Sequence, residues 1–256
     1  MIYIGGDNIE REIKKLNEEF LKIKEKGWIK SLNNGSNGIG FTFESLLGIP
    51  MNELEIPDYN GIELKTRRYS STSYIILFSS KPEGKYYHEV ERIKDIYGYP
   101  HSKFKEYNVL NNSVYGNRIN RIGQKFYFKL DVDRVKRKIY LVIYNKDKSI
   151  IERDVYWDFD ILEEKLYRKM KVLAIIKAYS KKKAGWEYFK YDLMQVYYLK
   201  NFEAVINLIE EWVIRVNYKL NVKTKGDKIG HIHDHGTSFD ILEKDIEKLY
   251  KLYDIM

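Results

Sequence analysis

Pro57-Asp58-Tyr59-Asn60-Gly61-Ile62-Glu63-Leu64-Lys65 is the stretch on which the fold turns. It reads as a turn running into a short strand, bracketed by Pro57 and Gly61, with Asp58 at the turn. Side chains along a strand alternate faces, so Glu63 and Lys65 point one way while Ile62 and Leu64 point into a core. A carboxylate and an amine side by side, with a second carboxylate just upstream, make a compact place to hold a hard cation beside a water.

The neighbouring sequence supports that strand. Residues 40–48 form a short helix in which Phe43, Leu46 and Leu47 pack inward and Glu44 is the lone acid. Glu44 is either a solvated helix residue or a further acid aimed at the strand that follows. After Lys65 comes the basic turn Thr66-Arg67-Arg68-Tyr69-Ser70. Ser73–Phe78 then reads as a strand pairing with Ile62–Lys65 across that turn.

Working outward, residues 7–26 carry Ile9, Ile13, Leu16, Phe20 and Ile23 at helical spacing, with Asp7 or Asn8 as cap and Gly27 as stop. Trp28–Leu32 is an extended segment and Asn33–Gly38 a polar loop. Residues 79–125, with Pro82, Pro100 and several glycines, are the least regular part, and a long irregular stretch is often functional. Lys125–Asp131 and Lys138–Asn145 alternate as a hairpin with its turn near 133–136. A helix is expected over 158–180, with Leu162, Leu166, Met170, Leu173 and Ile176 on one stripe and Lys181-Lys182-Lys183 at its C-terminus. Phe202–Glu211 reads as a helix and Trp212–Val222 as a strand. Residues 226–238 read as a loop and Leu242–Tyr253 as a closing helix. The sum is a mixed α/β protein.

Composition narrows the partners. The chain has 256 residues, 44% of them apolar, enough for one large domain or two lobes. No run approaches the roughly 18 apolar residues of a membrane helix, and the N-terminus lacks the pattern of a secretion signal. The absence of cysteine excludes disulfides and thiolate metal sites and fits a cytoplasmic protein. A net charge of +8, from 45 Lys+Arg against 37 Asp+Glu, favours a polyanionic partner.

Hydrolysing a phosphodiester requires a water in line with the leaving oxygen and neutralisation of growing negative charge. Mg²⁺ does both when a few carboxylate oxygens hold it and leave water positions open. Asp58 and Glu63 can supply those oxygens, with the Leu64 carbonyl as third ligand. Lys65 can orient or deprotonate the water or stabilise the charge on phosphorus. Glu44 can hold the metal through a water or complete a second site. The alternative for the whole set is a solvated strand face, since charged residues make up 32% of the chain. His231-Ile-His233-Asp234-His235 invites a zinc reading, but Asp234 comes one position early for the His-x-His-x-Asp-His pattern of metallo-β-lactamase-like hydrolases. Imidazole and carboxylate can also meet base edges, or the segment is plain surface. Arg67, Arg68, Arg118 and Arg121 are candidates for phosphate or base contacts, with ordinary surface charge as the alternative.

Gly-Ile-Gly-Phe-Thr-Phe-Glu44-Ser-Leu-Leu-Gly-Ile, then Pro57-Asp58 through Glu63-Leu-Lys65-Thr-Arg-Arg, then Leu77-Phe78 with Pro82, and finally Asp234-His235-Gly236-Thr237-Ser238-Phe239 together resemble the MvaI/BcnI family of type II restriction endonucleases. That family is related to the mismatch-repair nicking enzyme MutH, and the His-Gly-Thr block favours the former. The resemblance implies a PD-(D/E)XK core with a central mixed sheet flanked by helices, in two lobes around a DNA cleft. The approximate lobes would be 1–95, catalytic, and 96–256, for DNA recognition and wrapping. It implies Asp58, Glu63 and Lys65 as the catalytic set with Glu44 as the helix acid. His233, Asp234, His235 and Thr237 would lie at the DNA.

The function expected on that basis is Mg²⁺-dependent, sequence-specific hydrolysis of double-stranded DNA, with Mn²⁺ as substitute. Products would carry 5′-phosphate and 3′-hydroxyl ends, cut by successive nicks of a monomer. A cognate DNA methyltransferase would be present in the same cell but not bound. The rivals are a MutH-like nicking enzyme and a non-catalytic DNA-binding module; intact Asp58, Glu63 and Lys65 argue against the last.

Overall fold

The computed structural model describes residues 6–50, 56–223, 226, 227, 229 and 232–255. The chain divides into two compact units. One comprises residues 1–73, 166–200 and 247–256, the other 74–165 and 201–246. Where the sequence reading drew one boundary near residue 95, the chain passes between the units at 73/74, 165/166, 200/201 and 246/247.

The first unit is a sheet covered by helices. Helix α1 (Gly6–Glu25) takes in Asp7 and Asn8 as part of its first turn. It buries Ile13, Leu16, Phe20 and Ile23 on one stripe. Helix α2 (Gly38–Leu46) adds Ile39 and Phe43 to the same core. Both pack over the sheet formed by β1 (Ile29–Lys30), β11 (Trp186–Leu199), β10 (Val172–Lys183) and β2 (Glu63–Arg68), in that order. Strand β14 (Tyr250–Tyr253) also pairs with β11. Strands β10 and β2 run parallel, with Leu173 opposite Glu63 and Ile175 opposite Lys65. Alternation then sorts the side chains. Ile62, Leu64, Val172, Ala174, Ile176 and Ala178 enter the core under α1 and α2. Glu63, Lys65 and Arg67 share the opposite face with Leu173, Ile175 and Lys177.

Three expectations are corrected in this unit. The basic turn at 66–70 is strand as far as Arg68, and β2 pairs with β10 rather than with 73–78. The helix expected over 158–180 is α4 (Phe159–Lys169), and Val172–Lys183 is the strand beside β2. Lys181–Lys183 therefore close a strand, not a helix. The closing helix over 242–253 shrinks to a 3-10 turn at Glu243–Asp245 and one turn of helix, α6 (Ile246–Leu249), because β14 is captured as a sheet edge by β11.

The second unit holds two sheets. The first is ordered β3 (Tyr74–Ser79), β13 (Ile232–Leu242), β12 (Ile214–Val222), β5 (Asn108–Tyr115), β4 (Tyr99–Pro100). The second is ordered β6 (Asn120–Ile122), β7 (Phe126–Asp133), β8 (Lys138–Tyr144), β9 (Ile150–Asp158), and contains the expected hairpin. Helix α5 (Phe202–Glu210) is capped by Asn201, whose side chain accepts from the Ala204 N–H. The supposedly irregular 79–125 holds α3 (Glu89–Tyr97) together with β4, β5 and β6. Arg92 anchors α3 by pairing with Glu89 and Glu152, and the Tyr97 hydroxyl donates to Glu152 at 2.7 Å. The histidine segment expected as loop is strand from Ile232 onward, because His233 and Asp234 pair with Asn221 and Leu220 on β12. His231 lies outside the described residues.

Candidate active site

The site begins with a two-residue turn. Asn60 and Gly61 have φ of 42° and 92°. The Tyr59 N–H donates to the Ile62 carbonyl at 3.0 Å and the Ile62 N–H to the Tyr59 carbonyl at 2.7 Å. Positive φ at both central positions is the type I′ geometry that Asn-Gly favours. The turn places Asp58 beside the strand: its Oδ2 accepts the Leu64 N–H at 2.9 Å. The Asn60 amide donates to Glu12 Oε2 at 2.8 Å, which ties the turn to α1.

Glu63 is 1% exposed. Its Oε1 accepts from Lys65 Nζ at 2.5 Å and lies 3.5 Å from Lys169 Nζ. Its Oε2 is buried and has no hydrogen-bond partner. Burial pushes the Glu63 carboxyl above its ordinary value and the Asp58 charge adds to this, while Lys65 and Lys169 pull it down. Glu44 is half-buried and is also raised, first by burial and then by Asp58. A Cβ at Gly40 would come within 3.5 Å of Glu44 Oε1 and 3.2 Å of Thr66 Oγ1, so this glycine keeps the α2 surface open where Glu44 passes β2. Tyr191, buried behind, donates to the Ile39 carbonyl at 2.8 Å and fixes the start of α2.

These side chains answer the question of fit for a cation. A buried carboxylate oxygen with nothing bonded to it is costly, and a hard divalent ion would satisfy it. Among the described residues no three Asp, Glu, His or Cys side chains converge to hold a metal. The candidate side-chain donors are thus the pair Asp58 and Glu63, with Glu44 close enough to be felt electrostatically but not placed as a third ligand. Two carboxylates with remaining positions left to water suit Mg²⁺ better than Ca²⁺ or Zn²⁺.

Lys169 was not among the sequence candidates. It ends α4, and the parallel crossover into β10 carries it to Glu63. The only sequence signal is a cation at a helix end directly before a buried strand.

The other candidates separate. Arg67 is 8% exposed and donates to the Ser73 hydroxyl at 3.0 Å and to the Ser73 carbonyl, so it holds the strand end rather than a surface. Arg68 makes a two-pronged pair with Glu187, at 2.7 and 2.6 Å, and is already committed. Thr237 is 1% exposed, with its carbonyl accepting the Ser80 N–H; it belongs to the sheet interior. Arg118, Arg121 and His233 are exposed in the second unit. Arg118 lies over the Tyr115 ring and Arg121 donates to the Gly123 carbonyl. Asp234 and His235 lie on β13.

One solved structure, described as the restriction endonuclease MvaI–cognate DNA substrate complex, shares 29% identity over 94% of this chain and 97% of that chain, with a TM-score of 0.85. Another, MvaI in the absence of DNA, shares 28% identity over 96% and 98%, with a TM-score of 0.63. No curated protein sequence matches the chain. The MvaI/BcnI restriction endonuclease family model matches residues 17–250, and the chain belongs to that family.

Proposed function

We propose that this restriction endonuclease binds double-stranded DNA at a defined sequence and hydrolyses its phosphodiesters with Mg²⁺, Mn²⁺ serving as substitute. The observation that carries the reading is the buried Glu63. It is held by Lys65 on one oxygen, unpartnered on the other, and set beside Asp58. Asp58, Glu63 Oε2 and the Leu64 carbonyl would hold the ion. When bound, it makes a water more acidic and offsets charge on the phosphoryl oxygens. The Leu64 N–H fixes the Asp58 carboxylate through Oδ2. Lys65 orients the attacking water and faces the negative charge that builds on phosphorus. Glu44 keeps a third acidic group within electrostatic reach. The water oxygen bonds to phosphorus as the bond to the 3′ oxygen breaks. A proton passes to that oxygen, leaving 5′-phosphate and 3′-hydroxyl ends.

The chain acts as a monomer that cuts the two strands in succession. DNA is read by Arg118, Arg121, His233, Asp234 and His235, and the host is protected by a separate methyltransferase. The test is plasmid digestion with Mg²⁺ or EDTA, for wild type and Asp58→Ala, followed by sequencing of the ends. Defined linear products from wild type alone are expected. Equal cutting by Asp58→Ala would overturn the assignment. Nicked circles that never become linear would instead favour a MutH-like nicking enzyme.

A further inference from the structure

The active-site face of the first unit's sheet does not end at Arg67. The parallel register sets Arg67 beside Lys177, and β10 carries that face onward through Tyr179, Lys181 and Lys183. Their partners on β11 are Lys190, Tyr188 and Trp186, and Tyr188 is in turn opposite Lys30 on β1. Lys30, Lys181, Lys183 and Lys190 are all exposed. Aromatic rings lie among the cations. Lys181 Nζ is 3.9 Å from the Trp28 ring centroid, Lys30 Nζ is 3.8 Å from that of Trp186, and the tilted rings of Tyr69 and Tyr179 lie 4.5 Å apart. The acids nearby are taken up. Glu187 pairs with Arg68, and Asp192 accepts from Tyr69 and pairs with Lys24.

We infer that this lysine–aromatic strip binds the phosphate backbone of duplex DNA flanking the cut, independently of base sequence. The occupant follows from charge and continuity. The strip is cationic, and it extends the face that carries Glu63 and Lys65. Lys181 is eight residues along β10 from Leu173, the partner of Glu63, which is about 26 Å at about 3.3 Å per residue. At about 3.4 Å per base pair, that reach meets phosphates about eight base pairs from the scissile bond. Rings beneath lysines fix the ammonium groups without neutralising them. The inference rests on the DNA-cutting reading for its geometry, but its measurement does not need cleavage.

The experiment is equilibrium binding of the full chain to a 40-base-pair duplex of unrelated sequence, in EDTA, by fluorescence anisotropy across a salt series. The variant Lys30→Gln/Lys181→Gln/Lys183→Gln is compared with Lys14→Gln/Lys26→Gln, on α1 and just after its end, α1 covering the opposite face of the sheet. Three lost phosphate contacts should make the slope of log K against log salt shallower by about 2.7, at about 0.9 each. The α1 variant should retain the wild-type slope. On cleavable duplexes trimmed to four base pairs either side of the cut, wild type and strip variant should bind alike. An unchanged slope, or an equal loss in the α1 variant, overturns the inference. Wild type that cuts DNA with no change in the variant's slope refutes the strip alone. A shallower slope in a protein that cuts nothing refutes the nuclease reading and leaves the strip standing.

Discussion

Replacing Glu63 with Gln should stabilise the free protein while abolishing cleavage. The side chain is 1% exposed, one oxygen has no partner, and burial outweighs the two lysines in setting its proton affinity. Replacing a whole buried ion pair by apolar groups ranges from neutral to stabilising by about 1–4 kcal/mol, whereas removing one partner costs about 3–5 kcal/mol when the other charge stays buried. Gln retains polar atoms, so the low end applies, about 1 kcal/mol. Lys65 and Lys169 keep 27% and 29% of their side-chain surface exposed, so each ammonium can turn to water when the carboxylate goes. For a chain of this length 1 kcal/mol corresponds to about 2–4 °C in Tm.

The pH dependence distinguishes this cause from a packing accident. A carboxyl whose folded pKa is raised contributes stability that is fully present below its unfolded value and is lost as pH rises through the folded value. Wild type and Glu63→Gln should therefore melt together near pH 4, and the variant should gain as pH rises above the ordinary glutamate value of 4.5. The assay is differential scanning calorimetry of both proteins in EDTA from pH 4 to 8. A variant that melts below wild type at pH 8, or a gap that does not change with pH, refutes the reasoning.

Two further substitutions test the scaffold. Gly61→Ala puts a Cβ at φ 92° and should cost about 1–2 kcal/mol, seen as a lower Tm, with slower cutting because the turn sets Asp58. Arg68→Ala should lower stability through loss of the Glu187 pair, and Arg68→Ala/Glu187→Ala should recover part of it. A Tm unchanged in the single variant would show the pair to contribute nothing.

Local chemistry made much of this legible. Helix α1 shows in its own periodicity, the 126–144 hairpin in its alternation, and the strand bearing Glu63 and Lys65 in the Pro-Asp and Gly-Ile-Glu-Leu-Lys spacing. Strand β10 was hidden because it is buried on both faces over Val172–Ile176. A continuous apolar run fits a helical stripe as well as a strand, and Leu162 and Leu166 of α4, with Met170 just after it, supplied a phase that Leu173 and Ile176 happened to continue. Strand β13 was hidden by its composition: His, Asp and Gly suggest loop, and only pairing with β12 makes the segment extended. Arg67 and Arg68 looked like free cations because their partners, Ser73 and Glu187, are set by tertiary structure, Glu187 from a strand far along the chain. The same holds for Lys169, which reaches Glu63 only through the parallel crossover.

That second lysine bears on when the metal enters. Lys65 and Lys169 share Glu63 Oε1 and leave Oε2, the oxygen proposed to hold the ion, without a partner. The Asp58 and Glu63 carboxylates are matched in number by the Lys65 and Lys169 ammonium groups at Glu63, and Glu44 has its carboxyl raised above the ordinary value, first by burial. A dication added to the free protein finds little net negative charge. A DNA phosphate supplies it, so the ion should bind weakly to the protein alone and more tightly with DNA in place. Lys169→Met removes one opposing charge at the protein surface of the site, with 29% of the native side chain exposed. Its Mg²⁺ affinity without DNA should rise severalfold by titration calorimetry, while cleavage slows as Lys65 is left alone to hold Glu63. Equal Mg²⁺ affinity in wild type and Lys169→Met would show that Lys169 does not set the charge of the metal site.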